Sequence, residues 1–224
     1  MRYLPFLLFS LLLTACAGEP TPDTAAEAAA DTQLTTPAGR DLPADQKMTG
    51  DPATDTVITR YAYLENQYQT GMLQRKDAVY ECGKINGRIE LYNDKGDFAM
   101  AINSYNDGPQ RSVTDRWYFT NGKPAHLFSE SVTWEIAGPS VIDSNGNELP
   151  GIRTATAHYR YYLADGKTFK FLKKKWEHFN YRNDNVDPAS VADEPAATDG
   201  AVPERIALVT TARETGVVDC AAFQ

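Results

Sequence analysis

The sequence predicts an α+β domain, mainly an antiparallel β-meander sheet with one N-terminal helix and a short C-terminal segment. Three observations carry this. Of the 24 Phe, Trp and Tyr residues, 20 lie between residues 57 and 182. A helical apolar spacing opens that stretch. Asn-Gly and Asp-Gly dipeptides then punctuate β-prone runs through the remainder.

Charge marks the same boundaries. Residues 17–56 carry a net −6, residues 57–182 a net +3 and residues 183–224 a net −6, in a chain of 224 residues with net charge −8. Aromatic side chains supply large buried areas, so the middle stretch reads as the packed domain and the acidic stretches as its flanks. The acidic balance excludes a uniformly basic nucleic-acid binder. Three cysteines are too few for a disulfide-dense miniprotein.

The first element expected is a helix over Thr56 to Gly71. Val57, Tyr61, Leu64 and Tyr68 fall at i, i+4, i+7 and i+11 and share one helical face. Asp55 or Thr56 would cap its start and Gly71 its end. The β-prone Val57-Ile58-Thr59 and Tyr61-Ala62-Tyr63 offer a strand as the competing reading.

From Ala78 the pattern changes to strands and tight turns. Ala78 to Cys82 and Arg88 to Tyr92 flank Asn86-Gly87. Tyr92 leads through Asp94-Lys95-Gly96-Asp97 into Phe98 to Tyr105. Arg116 to Thr120 leads through Asn121-Gly122 into Lys123 to Ser131, and His158 to Ala164 through Asp165-Gly166 into Lys167 to Trp176. Asn-Gly and Asp-Gly suit two-residue type I′ turns, whose central residues both need positive φ. A meander of about six to eight strands follows. Two of these hairpins align without a gap, Arg116-Trp-Tyr-Phe-Thr-Asn-Gly-Lys123 on Arg160-Tyr-Tyr-Leu-Ala-Asp-Gly-Lys167. Either duplication or shared turn chemistry accounts for the match.

Trp117, Phe119, Trp134, Tyr161, Leu163, Phe169 and Phe171 are the expected core. Tyr118 and Tyr162 alternate with Trp117 and Tyr161, so both sheet faces carry aromatics. A sheet with one bare polar face does not have this pattern. Either the sheet curls, or the helix and the tail cover its second face. Residues 183–203 read as an acidic loop. Residues 204–224 read as a segment docked on the domain, with Pro203-Glu204 suiting a helix start and Val209-Thr210-Thr211 suiting a strand.

The N-terminus has one basic residue, a short apolar run from Leu4 to Leu13, and then Thr14-Ala15-Cys16. This is the layout of a signal peptide, and the run falls short of the roughly 20 apolar residues that span a bilayer. Leu13-Thr14-Ala15-Cys16 resembles the lipobox of bacterial lipoproteins. The resemblance covers residues 1–16 only. It implies removal of residues 1–15 and acylation of Cys16, with palmitate-class chains on its sulfur. Each buried methylene contributes about 0.8 kcal/mol, so two or more chains make a stable anchor. Ala17 stands where an aspartate favours inner-membrane retention in enterobacterial lipoproteins, which implies the outer membrane, facing the periplasm. Residues 16–55, rich in Ala, Thr, Pro and Asp and free of aromatics, read as a disordered, lipid-anchored tether. Flexible-chain scaling gives it a span of roughly 35 Å.

With Cys16 acylated, Cys82 and Cys220 remain as a pair in a compartment that permits disulfides. They are expected to bond and to pin the acidic C-terminal segment onto the sheet.

Signatures of catalysis and of cofactors are absent: no Gly-x-Ser-x-Gly, no His-Glu-x-x-His, no Cys-x-x-Cys and no phosphate-cradling glycine loop. No cofactor and no metal is expected. His126, His158 and His178 show no ligand spacing and read as partly exposed polar positions. Glu130 and Glu135, with Trp134 between them, are the nearest candidates for a glycan-hydrolysing carboxylate pair. The most specific surface feature is Lys173-Lys174-Lys175-Trp176, a cationic and aromatic strip with Lys170 nearby. It admits three readings: protection of an edge strand, pairing with the acidic tail, and binding of an external anionic partner. The expected function is a non-enzymatic, lipid-anchored binding or structural module of the cell envelope. Its partners would be the membrane through its anchor, and an envelope protein or glycan, with no nucleic acid. An envelope glycan hydrolase and an inhibitor or chaperone-like accessory protein are the alternatives.

Overall fold

A computed structural model describes residues 48–197, 200 and 202–223. The lipobox-like segment, Cys16 and the expected tether up to residue 47 lie outside the described residues. The helix α1 (Pro52–Gln69) leads into β1 (Gln74–Cys82), β2 (Ile85–Asp94), β3 (Asp97–Asp107), β4 (Arg111–Thr120) and β5 (Lys123–Ile136). Next come β6 (Val141–Ile142), β7 (Glu148–Leu149), β8 (Ile152–Ala164), β9 (Lys167–Phe179), β10 (Glu194–Pro195) and α2 (Val202–Thr215). Short 3-10 turns occupy Pro188–Ser190 and Cys220–Phe223. The main sheet has the order β1-β2-β3-β4-β5-β8-β9-β10, antiparallel throughout, while β6 and β7 form a small separate hairpin. This is the expected α+β fold with a large antiparallel meander. Among the described residues no helix is long and apolar enough to cross a membrane.

The two helices lie on opposite faces, which accounts for the aromatics on both. Under α1 lie Met100, Tyr118, His126 and Tyr162, and under α2 lie Trp117, Phe119, Leu127, Tyr161, Leu163 and Phe171. Val57, Tyr61 and Leu64 are buried as the periodicity predicts, and Tyr68 rests edge-on against Tyr92. The helix starts four residues before the expected point. Asp51, not Asp55 or Thr56, is its cap and accepts from the Thr54 backbone N–H at 3.1 Å, with Pro52 beginning the helix. Asp55 instead receives the Thr49 and Gly50 N–H groups. The C-terminal segment, open between helix and strand, is helical.

Three hairpins share one construction. Lys95-Gly96, Asn121-Gly122 and Asp165-Gly166 all have positive φ, as type I′ turns demand. Each is preceded by a register shift at an equivalent point, after Tyr92, Tyr118 and Tyr162. The returning strand carries one extra residue there, a β-bulge. The repeat seen twice in the sequence is thus present three times in the fold. Its invariant tyrosine faces the α1 side, where the three rings form the platform under that helix.

The bulge also displaces one expected core residue. Phe169 is the extra residue of the third hairpin, since Tyr162 pairs with Lys170 and Leu163 with Thr168. It leaves the core and is 44% exposed. Trp134 lies near the end of β5, past the reach of either helix, and is only half-buried. The Asn86-Gly87 turn is also corrected. Cys82 pairs with Ile85 across Gly83-Lys84, and Gly87 lies inside β2 opposite Tyr80. A Cβ on Gly87 would come within 2.6 Å of the Tyr80 ring and 2.8 Å of the Tyr105 Cβ. Glycine serves close packing there, not turning.

Candidate functional site: a cleft between the sheet and the C-terminal helix

Strand alternation places Asn103 of β3, Asp115 of β4 and Ser129 of β5 on the α2 side. The register sets them side by side, Asn103 opposite Asp115 and Asp115 opposite Ser129. These polar residues are 3%, 2% and 1% exposed in the middle of the sheet. Burying polar groups is unfavourable unless they are hydrogen-bonded, and here partners arrive from β1 and from α2. The Tyr80 hydroxyl donates to Asn103 Oδ1 at 2.7 Å. Arg205, near the start of α2, brings its guanidinium to 3.5 Å from Asp115 Oδ1 and 3.4 Å from Ser129 Oγ.

A cleft of about 380 Å³ opens over this row, lined by Asn103, Tyr105, Asp115, Trp117, Glu204, Arg205, Leu208, Val209, Ala221 and Phe223. The Cys82–Cys220 disulfide, with Cα atoms 5.3 Å apart, holds its far end. It fixes the terminal turn so that Phe223 stacks on Tyr80 and meets Tyr105 edge-on. Burial pushes the Tyr105 hydroxyl up to about 12 and keeps it a neutral donor. Aromatic and aliphatic walls around a few convergent polar groups are the usual composition of a small-ligand site. The sequence supplied part of a signal for the row: Asn103 and Ser129 stand in predicted strands, whereas Asp115 falls just before the strand predicted from Arg116, and only the register brings the three together.

A second buried polar group lies under α1. The Tyr118 hydroxyl donates to Glu65 Oε1, and Arg116 Nη1 stands 3.8 Å from the same oxygen. Burial holds the Glu65 carboxyl above its ordinary range, opposed by the Tyr118 hydrogen bond and the Arg116 charge. His126 Nδ1 lies 2.9 Å from the Tyr161 carbonyl oxygen, to which the neutral ring donates. Burial first, and the Arg160 charge further, push this imidazole down to about 3.

The other sequence candidates are placed as follows. His126 and His158 are buried, and only His178 is exposed, because the first two fall on the α1 side of central strands. Among the described residues no three His, Cys, Asp or Glu side chains gather as a metal site requires. Glu130 and Glu135 do not converge. Five positions apart on one strand, they point to opposite faces, Glu130 to His158 Nε2 at 2.8 Å and Glu135 to Arg153 at 2.7 Å. The lysine strip is divided in the same way. Lys174 and Trp176 lie on the α1 side, with the ammonium 5.3 Å from the indole centroid. Lys175 lies on the α2 side over Tyr159, and Lys173 is paired in register with Glu194 of β10.

Compared with known protein families, curated proteins and solved structures, the chain has no match.

Proposed function

We propose that this protein is a non-enzymatic binding module of the bacterial cell envelope, anchored by lipid on Cys16 and probing the periplasm from the outer membrane. Its ligand site is the cleft between the sheet and α2. The observation supporting the binding reading is the buried row Asn103–Asp115–Ser129. A sheet built only for stability places aliphatic side chains at such positions. The lipobox-like residues 13–16 support the anchor. Glycan hydrolysis is a second reading, favoured by Asp115 and Glu204 lining one cleft beside Trp117. It needs one carboxyl held protonated beside the other, whereas Asp115 rests against the Arg205 guanidinium.

Two experiments test this proposal. Replacing Cys16 by serine leaves the protein without fatty-acid label and releases it from the membrane fraction. Retained labelling in that variant overturns the anchor. For the cleft, Trp117 in the floor is an intrinsic reporter. Titrating the protein with a soluble digest of envelope glycan, and separately with an envelope lipid extract, gives a saturable change in tryptophan emission with one of them. Asp115→Asn weakens that binding by about 1.5–3 kcal/mol, the range of a charged hydrogen bond. Equal responses from the two proteins, or none from either, remove the cleft as a ligand site. Shortened glycan products establish hydrolysis instead.

A further inference from the structure

On the α1 side, alongside that helix, β5, β8 and β9 carry a second concentration of charge that the cleft does not use. The register sets Phe128 beside Arg160, and Glu130 beside His158 beside Lys174. The His158 ring lies between Phe128 and Trp176, with centroid distances of 4.9 and 4.6 Å. The Arg160 guanidinium rests over Phe128. Each cationic side chain is therefore held on an aromatic ring, which fixes its position at little entropic cost.

A thin strap crosses this surface. Residues 187–195 run past β9, mostly exposed, and pair with it over only two residues, Glu194 with Lys173 and Pro195 with Leu172. Two further contacts hold the strap. Asp193 is ion-paired to Arg160, and Lys174 Nζ donates to the Pro188 carbonyl oxygen at 3.2 Å. Beneath it, Arg160 and His158 are each 2% exposed. Yet Arg160 Nε and His158 Nδ1 make no hydrogen bond. Buried polar nitrogens are seldom left so. A guanidinium held by a single carboxylate oxygen, with Nε unused, has capacity for a two-oxygen anion.

We propose that this is an oxyanion site for a phosphate group, and that Asp193 is its built-in occupant. Arg160 and Lys174 supply the charge and His158 lies beside them. The strap's carboxylate takes the place of a phosphate oxygen until an external phosphate displaces it. This site lies on the opposite face from the cleft and is independent of it. Displacement converts the strap from a packed segment to a free one, so binding here uncovers the edge of β9 at Leu172 and Lys173.

The experiment uses the full chain and the Asp193→Asn variant, with inorganic phosphate as one probe and vesicles of phosphatidylglycerol in phosphatidylcholine as the other. Chloride at equal ionic strength is the control. In the wild type the closed strap lowers apparent affinity by the fraction of time it is open. Asp193→Asn therefore binds phosphate about tenfold more tightly, and in the wild type amide exchange in residues 188–196 accelerates as phosphate displaces Asp193. Tighter binding of inorganic phosphate identifies the free ion as the source. A response confined to phosphatidylglycerol vesicles identifies a lipid headgroup. Arg160→Gln on the Asp193→Asn background abolishes either response. Lys174→Gln on the same background, where the strap is already released, weakens either response by removing the second cation. If Asp193→Asn loosens the strap but binds neither probe above the chloride control, Asp193 is a structural ion-pair partner only and the proposal fails. The cleft titration is unaffected by that result.

Discussion

Replacing Cys82 and Cys220 together by serine lowers the stability of the folded domain by about 3–5 kcal/mol. The bond joins residues 138 positions apart. Cross-linking so long a loop removes a large part of the unfolded chain's freedom. Only one short turn is attached to it at the C-terminal side, so the native sheet needs no rearrangement to survive its loss. Urea unfolding followed by tryptophan emission measures the change as a lower midpoint at unaltered slope. The same variant frees the Cys220–Phe223 turn, so Phe223 leaves Tyr80 and Tyr105 and the cleft loses its end wall. Ligand affinity falls with stability in this variant. In Asp115→Asn the turn remains in place, and affinity falls through loss of the carboxylate alone. Unchanged stability in the double serine variant would show that the turn is held by its aromatic contacts alone.

Acid destabilises the domain through His126, and the effect is about as large. The imidazole titrates near 3 in the folded chain, against an ordinary 6.5. The unfolded chain therefore binds more protons between those values. The stabilisation is complete above about 6.5 and is lost as pH falls toward 3, at about 1.4 kcal/mol per pH unit from this group. Burial is the main cause, and the Arg160 guanidinium adds to it. Glu65 acts with the opposite sign. Its carboxyl is raised by burial, so its contribution is present at low pH and is lost as pH rises through its folded pKa. In His126→Asn, the amide still donates to the Tyr161 carbonyl and does not titrate. That variant is less stable than the wild type at pH 7 and closes the gap as pH is lowered to 4. Parallel pH profiles for the two proteins would remove His126 as the source of the acid sensitivity.

Local signals in the sequence map onto local structure with few exceptions. Val57, Tyr61, Leu64 and Tyr68 define a helical face because their spacing is that of the helix itself. Asn121-Gly122 and Asp165-Gly166 mark turns because few other dipeptides adopt positive φ twice at low strain. Gly87 shows the limit of that rule. The same dipeptide serves a turn or a close contact, and the choice rests on Tyr80 and Tyr105, which lie on neighbouring strands. Phe169 fails for a similar reason. One residue of bulge shifts everything after it to the other face, and a bulge leaves no mark in hydrophobic alternation.

The candidate sites were less legible than the fold. Lys173 to Lys175 are contiguous and conspicuous, yet a strand sends neighbours to opposite faces, so the strip divides. Asn103, Asp115 and Ser129 are separated by 12 and 14 residues in the chain, and no local pattern connects them. Arg160 and Asp193 belong to different segments, and nothing in their flanking residues pairs them.

The sequence by itself determined the antiparallel hairpins, the N-terminal helix, the Cys82–Cys220 pairing and the lipobox-like layout. Each of these rests on backbone chemistry within a few residues or on counting cysteines. Tertiary structure alone decided which face each helix covers, where the bulges fall, and which polar side chains meet. Those outcomes depend on strand register and on the docking of α2 and the 187–195 strap. Register is a property of strand pairs and docking a property of whole faces, so neither is carried by the side chains of any single segment.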